Sequence, residues 1–366
     1  MSKNSSTLET FDYINKKNKL KRFNDYKVIT NYFKNIRLKS RECIIPHKKP
    51  NNYLLTNNLL LYKQIGTKSV YGIVYKCKNI NKKYKEIPLF TAKLQLLKDN
   101  VKKEIQTLKF LSNYAITYSI PNLPIIYKSI ICNSIIYNDK YPKILANAKK
   151  KYNKYSLILN ELASGDLYYF LNVKYYNDLT EELWKNTYEQ IFICLAILHS
   201  LGINHNDSHG GNFLYHKIIA GGCFHYKINN VDFYIKNMGF LWTSWDYGLI
   251  TRIQNKGSYI FDYMLINAVM RKDDNSLFTA QFKNHSFYNK LNYWGYLERK
   301  VNVPLKIRDL QYIIWDKLEK TASNIDYELI QKQITEDKWL KFFLDNNLLF
   351  SKVSFGTILS SVIINL

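Results

Sequence analysis

The chain has 366 residues, 46% of them apolar, with 53 Lys and Arg against 29 Asp and Glu, a formal net charge of +24. That apolar share excludes a wholly disordered chain. No run of 18 apolar residues offers a membrane-spanning helix. At ~150 residues per domain the length admits one large or two small units. The opening MSKNSSTLETFDYINKKNKLKRF has no apolar stretch of signal-peptide type, so secretion is not expected. The charge points to an anionic partner, whether nucleic acid, anionic lipid or phosphorylated groups, without choosing among them. Part of it reflects composition, because Tyr, Asn, Ile and Lys are abundant and share A/T-rich codons. Cys43, Cys77, Cys132, Cys194 and Cys223 form no C-x-x-C pair. Their odd count and wide spacing predict reduced structural thiols in an intracellular setting.

Residues 1–55 are polar, basic and weakly periodic. They are expected to be a basic leader, partly ordered at best, with KKNKLKR (16–22) read as solvated in preference to a contact patch. From Leu59 the pattern changes. LLLYKQIG, GIVYKCKN and IPLFTAKL are short runs rich in β-branched and aromatic residues, and they predict three successive strands. VKKEIQTLKFL follows, with Val101, Ile105, Leu108 and Leu111 on one face of a predicted helix that Asp99 or Asn100 can cap. NLPIIYKSIIC and SLILNEL predict two more strands, with the basic insertion NAKKKYNKY between them. Asp166, after Gly165, is best read as a helix cap. Beyond it the chain turns mainly helical. In TEELWKNTYEQIFICLAILHSLG one face carries Leu183, Thr187, Ile191, Cys194, Leu195 and Leu198, and Gly202 suits the C-terminal stop. FHYKINN and VDFYIKN predict a hairpin turning at Asn229 and Asn230. Later amphipathic segments include IRDLQYIIWDKLEK and EDKWLKFFLDN. Strands followed by helices make an α+β chain.

The sharpest local signal is HNDSHGGNFL (205–214), which fits H-x-D-x-x-x-x-N with Asp207 and Asn212 five apart. A loop that sets one carboxylate beside one amide can orient a hydroxyl and also offer oxygen to a metal. His205 and His209 share H-x-x-x-H spacing, but they flank Asp207 in a predicted loop with no cysteine pair, so zinc is not expected.

This segment resembles the catalytic loop of the protein kinase superfamily. TSWDYGL around Asp246 resembles its D-F-G motif, and TAKL, ending at Lys93 and Leu94, resembles the strand that carries its lysine. Glu104 on the next helix is the candidate partner of Lys93. IGTKSVYGIVYK resembles the glycine-rich turn, and LILNELASGDL resembles the hinge. The six elements cover about 60–248 in the family's order. GGNFLYH, GGCFHYKINNVDFYIKN and WTSWDYGL resemble more narrowly the serine/threonine protein kinases of large DNA viruses, iridovirus-like.

The resemblance implies a protein-kinase-like two-lobed fold. It would have a small β-rich N-lobe with one helix (56–162) and a larger helical C-lobe (163–366) with a hairpin insertion near 218–240. It implies an ATP- and Mg2+-dependent phosphotransferase acting on protein hydroxyls. Asp207 would take or orient the hydroxyl proton, Lys93 would bind phosphates, and Glu104 would fix Lys93. His205 would support the loop. Gly66, Ser69, Gly72, Val74, Ala92, Glu161 and Ala163 would line the nucleotide, and Asn212 and Asp246 would hold Mg2+. Asp262 is a candidate for a buried aspartate that holds the catalytic loop. The implied partners are ATP and a protein substrate, acidic or phosphorylated to suit the basic chain. Nucleic acid stays open as a partner with no motif behind it. The implied location is intracellular, in host cytoplasm or virion for a viral protein.

The pattern also departs from the family. Only Gly66 and Gly72 remain of the glycine turn. Asn206 replaces the usual Arg, which suggests activity independent of activation-loop phosphorylation. His209 stands where serine/threonine kinases carry Lys. No A-P-E motif follows Asp246. A pseudokinase scaffold, or a phosphotransferase directed at small molecules or RNA, therefore remains an alternative.

Overall fold

The computed structural model describes residues 20–36, 38, 43–49, 52–56, 58–66, 72–84, 86–133, 154–171, 179–253, 259–269 and 335–366. They divide into two compact units, one from 20–119 and 123–162, the other from 120–122 and 163–366. Ser69, most of the 147–155 insertion and the segment IRDLQYIIWDKLEK lie outside the described residues. Among the described residues no helix is long and apolar enough to cross a membrane.

The first unit is a seven-stranded antiparallel sheet in the order β1-β2-β3-β4-β5-β7-β6. Its strands are β1 (Ile45–Pro46), β2 (Tyr53–Thr56), β3 (Leu59–Ile65), β4 (Gly72–Asn79), β5 (Phe90–Leu96), β6 (Ile126–Cys132) and β7 (Tyr155–Glu161). Strand residues alternate between the two faces, and each face is covered by a helix. On one face Ile73, Tyr75, Phe90, Ala92, Leu94, Leu157 and Leu159 pack with Ile29, Tyr32 and Phe33 of α1 (Lys21–Lys34). The Phe33 ring meets Phe90 edge-on at 5.7 Å. The opposite face receives α2 (Asp99–Thr117), whose Val101, Ile105, Leu108 and Leu111 are buried as their spacing predicts.

Two expectations are corrected here. Of the expected basic leader 1–55, residues 1–19 lie outside the described residues, whereas 21–34 are a helix whose apolar side closes the core of this unit. The segment after it adds β1 and β2 to the sheet. The thiols are not all reduced, because Cys43 and Cys132 form a disulfide across 89 residues. Both sit in the apolar cluster that α1 covers, and this long-range placement leaves no trace in the spacing. Cys77, Cys194 and Cys223 stay thiols and are buried.

The second unit is organised around α3 (Glu181–Ser200), of which Leu183, Trp184, Tyr188, Ile191, Phe192 and Leu195 are among the buried residues. The Thr180 hydroxyl caps it by accepting from the Leu183 N–H at 3.1 Å, and Gly202 ends it at φ +73. Asp166 caps the short helical turn Leu167–Tyr169 by accepting from the Tyr169 N–H at 2.8 Å. Around α3 lie β8 (Gly165–Asp166), β9 (Ile203–Asn204), β10 (Phe213–Lys217), β11 (Cys223–Ile228), β12 (Val231–Lys236), β13 (Phe240–Ser244), β14 (Thr251–Arg252) and β15 (Ile358–Ile364). They form sheets in the orders β13-β10-β8, β12-β11-β15 and β14-β9. The β11–β12 hairpin turns through Asn229 and Asn230, both at positive φ, which asparagine tolerates better than most residues. β15 pairs in parallel with β11 and gives the hairpin a third strand. The helices α4 (Ile260–Val269) and α5 (Glu336–Asp345) complete the described part.

Candidate active site

In the first unit the site residues follow from strand alternation. Lys93 lies between the inward-facing Ala92 and Leu94, so its side chain leaves on the α2 face. There its Nζ pairs with Glu104 Oε1 at 2.7 Å, and the two side chains are 14% and 3% exposed. Gln95, two residues on and on the same face, donates to Glu104 Oε2 at 2.9 Å. Both carboxylate oxygens thus have donors, and the lysine head is fixed. The spacing of eleven residues suffices because α2 begins only three residues after β5 ends. Val74 is the β4 register partner of Lys93 and shares its face. Ala92 does not join them. It is fully buried among Phe90, Leu94 and α1 on the reverse face, whereas Thr91 shares the face of Lys93.

The two glycines have different reasons. Gly66 has φ +76, a conformation that other residues reach at a cost. A Cβ on Gly72 would come within 2.8 Å of Leu94 O and Gln95 Cβ, so Gly72 permits the close approach of β4 to β5. Glu161 ends β7 with its side chain on the α1 face. The Arg22 guanidinium reaches it there with two hydrogen bonds, one of them from Nε at 3.0 Å. The Ile125 N–H also donates to Glu161 Oε1 at 3.0 Å. The Glu161 N–H is itself donated to Ile125 O. Ala163, half-buried, begins the following segment.

In the second unit the loop 205–212 is held from below. Asp262, fully buried on α4, accepts from the His205 N–H at 2.6 Å, the Asn206 N–H at 2.7 Å and the Ser208 hydroxyl at 2.7 Å. Burial alone would raise its pKa, but His199, His205 and Ser208 outweigh burial and hold it below the usual carboxylate value. The candidate role of Asp262 as the holder of this loop thus has bonds behind it. His205 is fully buried, and its Nε2 lies 2.9 Å from Trp245 O. It packs against Tyr247 and touches no exposed surface, which suits support rather than reaction.

The other end of the loop carries the chemistry-bearing pair. Asn212 Nδ2 donates to both Asp207 O at 2.8 Å and Asp207 Oδ2 at 2.9 Å. Both amide hydrogens are thereby used, and the remaining amide atom is the oxygen, a hard donor suited to Mg2+. β10 pairs with β13, matching Phe213 with Ser244, and the Trp245 N–H donates to Asn212 O at 2.7 Å. The ladder therefore brings Asp246 beside Asn212, although the hairpin separates them in sequence. Asp246 adopts φ +62, a strained backbone for a non-glycine residue of the kind concentrated at functional sites. Tyr247 is fully buried and its hydroxyl pairs with Ser244 Oγ at 2.7 Å, anchoring the turn. Two oxygen side chains and a carboxylate neighbour, with no thiol, form a donor set that fits a magnesium ion better than a soft metal.

Arg22 escaped sequence reasoning, and the roles of Asn206 and His209 were legible only as departures from the family pattern. Asn206, legible only as a missing arginine, adopts φ +60 and straps the loop to the segment after Asp246. Its Nδ2 donates to Leu249 O at 3.0 Å and Thr251 Oγ1 at 2.9 Å. Arg22 sits in a stretch that reads as a solvated leader. His209 faces Asp207, with Nε2 3.7 Å from Oδ2, while its Nδ1 accepts from the Gly211 N–H at 3.0 Å.

No family model matches the chain, and no curated protein matches it either. Among solved structures it is similar to a Plasmodium kinase domain at 15% identity and a TM-score of 0.44, covering 82% of this chain and 98% of that one.

Proposed function

We propose that the chain is an ATP- and Mg2+-dependent phosphotransferase of the kinase type, acting on serine or threonine hydroxyls of proteins. The observation that carries this reading is the loop 205–212. It is clamped by the buried Asp262, presents Asp207 and Asn212 locked to each other, and is tied through Trp245 to Asp246. Phosphoryl transfer asks a protein for positioning and charge neutralisation more than for covalent help. Asp207 accepts or orients the proton of the attacking hydroxyl. Asn212 and Asp246 supply oxygen ligands for Mg2+, which when bound neutralises charge on the transferring phosphates. Lys93 binds phosphate oxygens, and Glu104, held by Gln95, keeps the lysine extended. Gly66, Ser69 and Gly72 cover the phosphates, Val74 lines the base, and the Glu161 carbonyl and the Ala163 backbone groups serve it.

The narrower placement among kinases of large DNA viruses rests on the motif resemblance and the A/T-biased composition. Asn206, already bonded to Leu249 and Thr251, favours activity that does not await phosphorylation of that segment. A second reading, a small-molecule phosphotransferase, is favoured by His209 beside Asp207 where protein kinases carry lysine.

The test uses purified chain with labelled ATP, Mg2+ and basic or acidic protein substrates. Label on a protein that disappears in Asp207→Ala and Asp246→Ala supports the reading. No label on any protein, this one included, sinks the protein-kinase claim. Label on a small-molecule acceptor alone turns the assignment to the second reading.

A further inference from the structure

The loop clamp does not end at Asp262. Asp262 Oδ2 faces His199 Nε2 at 3.1 Å, and His199 Nδ1 faces Glu336 Oε1 at 2.7 Å. His199 lies in the last turn of α3, Asp262 belongs to α4, and Glu336 is the first residue of α5. All three are buried. Tyr263, also on α4, directs its hydroxyl to the same Glu336 oxygen and to Phe192 O. The Tyr259 and Tyr263 rings stand against the imidazole. A ring with carboxylates at both nitrogens donates to both only as an imidazolium. Burial by itself would favour the neutral ring. Glu336 and Asp262 overcome it and raise the His199 pKa to about 9.

We infer that Glu336, carried on α5, is a positioning residue for the loop bearing Asp207, acting through His199 and Asp262. The argument is one of charge. Asp262 must stay ionised to accept three hydrogen bonds from the loop while wholly buried, and a cation beside it supports that charge together with those hydrogen bonds. The cation is His199, whose protonated form is held against burial by the second carboxylate, Glu336, together with Asp262. Glu336 lies at a helix N-terminus, where a negative charge is further favoured. A plain tether between α5 and α3 would need shape and hydrogen bonding but no charge. The loop's catalytic use rests on the function proposed above; the relay itself does not.

Glu336→Gln in the full chain separates the two possibilities, because glutamine keeps the shape and an acceptor oxygen but loses the charge. The expected result is amide hydrogen exchange at His205 and Asn206 faster by about tenfold, with the β11–β15 ladder unchanged. In the phosphotransfer assay kcat falls about 10- to 100-fold with KM for ATP held within about twofold. Unchanged exchange at His205 and Asn206 overturns the inference, and this readout stands even if the wild-type chain transfers no phosphate. Should the variant fail to fold, wild-type protein with 15N-labelled histidine decides. One ring remaining doubly protonated at pH 8 supports the relay, and none doing so refutes it.

Discussion

Arg22 offers the most exacting test of how the first unit is built. Its guanidinium and the Glu161 carboxylate are each 7% exposed at the side chain. The guanidinium also donates to Leu123 O at 2.8 Å. Arg22→Ala removes the cation but leaves the Glu161 carboxylate buried, still accepting from the Ile125 N–H. Breaking a buried pair from one side costs about 3–5 kcal/mol, most of it the penalty of the stranded charge. With a urea m-value of about 2 kcal/mol/M, the transition midpoint should fall by on the order of 2 M. All six tryptophans lie beyond residue 183, so the unfolding of this unit is to be followed by far-UV circular dichroism rather than by tryptophan fluorescence. The double variant Arg22→Met with Glu161→Leu removes both charges and should recover most of the loss. A single variant within about 0.5 kcal/mol of wild type would refute the claim that α1 is an integral, charge-locked part of the sheet.

Other outcomes can be checked alongside. The folded-state pKa of His199 is raised from 6.5 to about 9, so its stabilising contribution is complete below pH ~6.5 and is lost as pH rises through about 9. The difference is on the order of 3 kcal/mol, and a melting temperature equally flat in wild type and His199→Gln over that range would contradict it. Asn206→Ala loses two hydrogen bonds and must hold φ +60, for a cost of about 2 kcal/mol, while Asn206→Gly keeps the backbone and should cost about half as much. Equal losses in the two variants, measured by chemical unfolding, would show that the backbone conformation contributes nothing. In Gly222→Ala the new Cβ would sit 2.3 Å from Thr357 O at φ +70, and that oxygen already accepts from the Cys223 N–H. More than about 2 kcal/mol of destabilisation is expected, with amide exchange in 358–364 accelerating first. An unperturbed strand would count against the tight approach.

The features legible in the sequence are those written in short stretches. The β-branched and aromatic run IPLFTAKL put Lys93 on a strand, and the 4-3-3 spacing of Val101, Ile105, Leu108 and Leu111 placed the helix that carries Glu104. The H-x-D-x-x-x-x-N spacing held Asp207 and Asn212 in one loop. What escaped is long-range. The apolar side of α1 is thin, just Ile29, Tyr32 and Phe33 amid lysines and asparagines, and its burial becomes intelligible once Glu161 is seen 139 residues away. Ala92, which the kinase resemblance places along the nucleotide, faces the other way, because adjacency to Lys93 along a strand puts the two side chains on opposite faces. Cys43 and Cys132 meet through tertiary packing that no local pattern encodes. Glu336 was visible only as the polar start of an amphipathic helix, and its partner His199 lies 137 residues earlier.

The parallel pairing of β15 with β11 also sets an order of events during synthesis. The β11–β12 hairpin can close as soon as its turn emerges from the ribosome, yet residues 229–357 must be made before β15 begins. At roughly 5–20 residues per second the open edge of β11 waits on the order of ten seconds. During that interval an unpaired strand edge is exposed to other nascent chains. A factor that shields such edges, or a slowing of translation that prolongs the wait, would therefore change the yield of folded protein without altering any interaction in its final state.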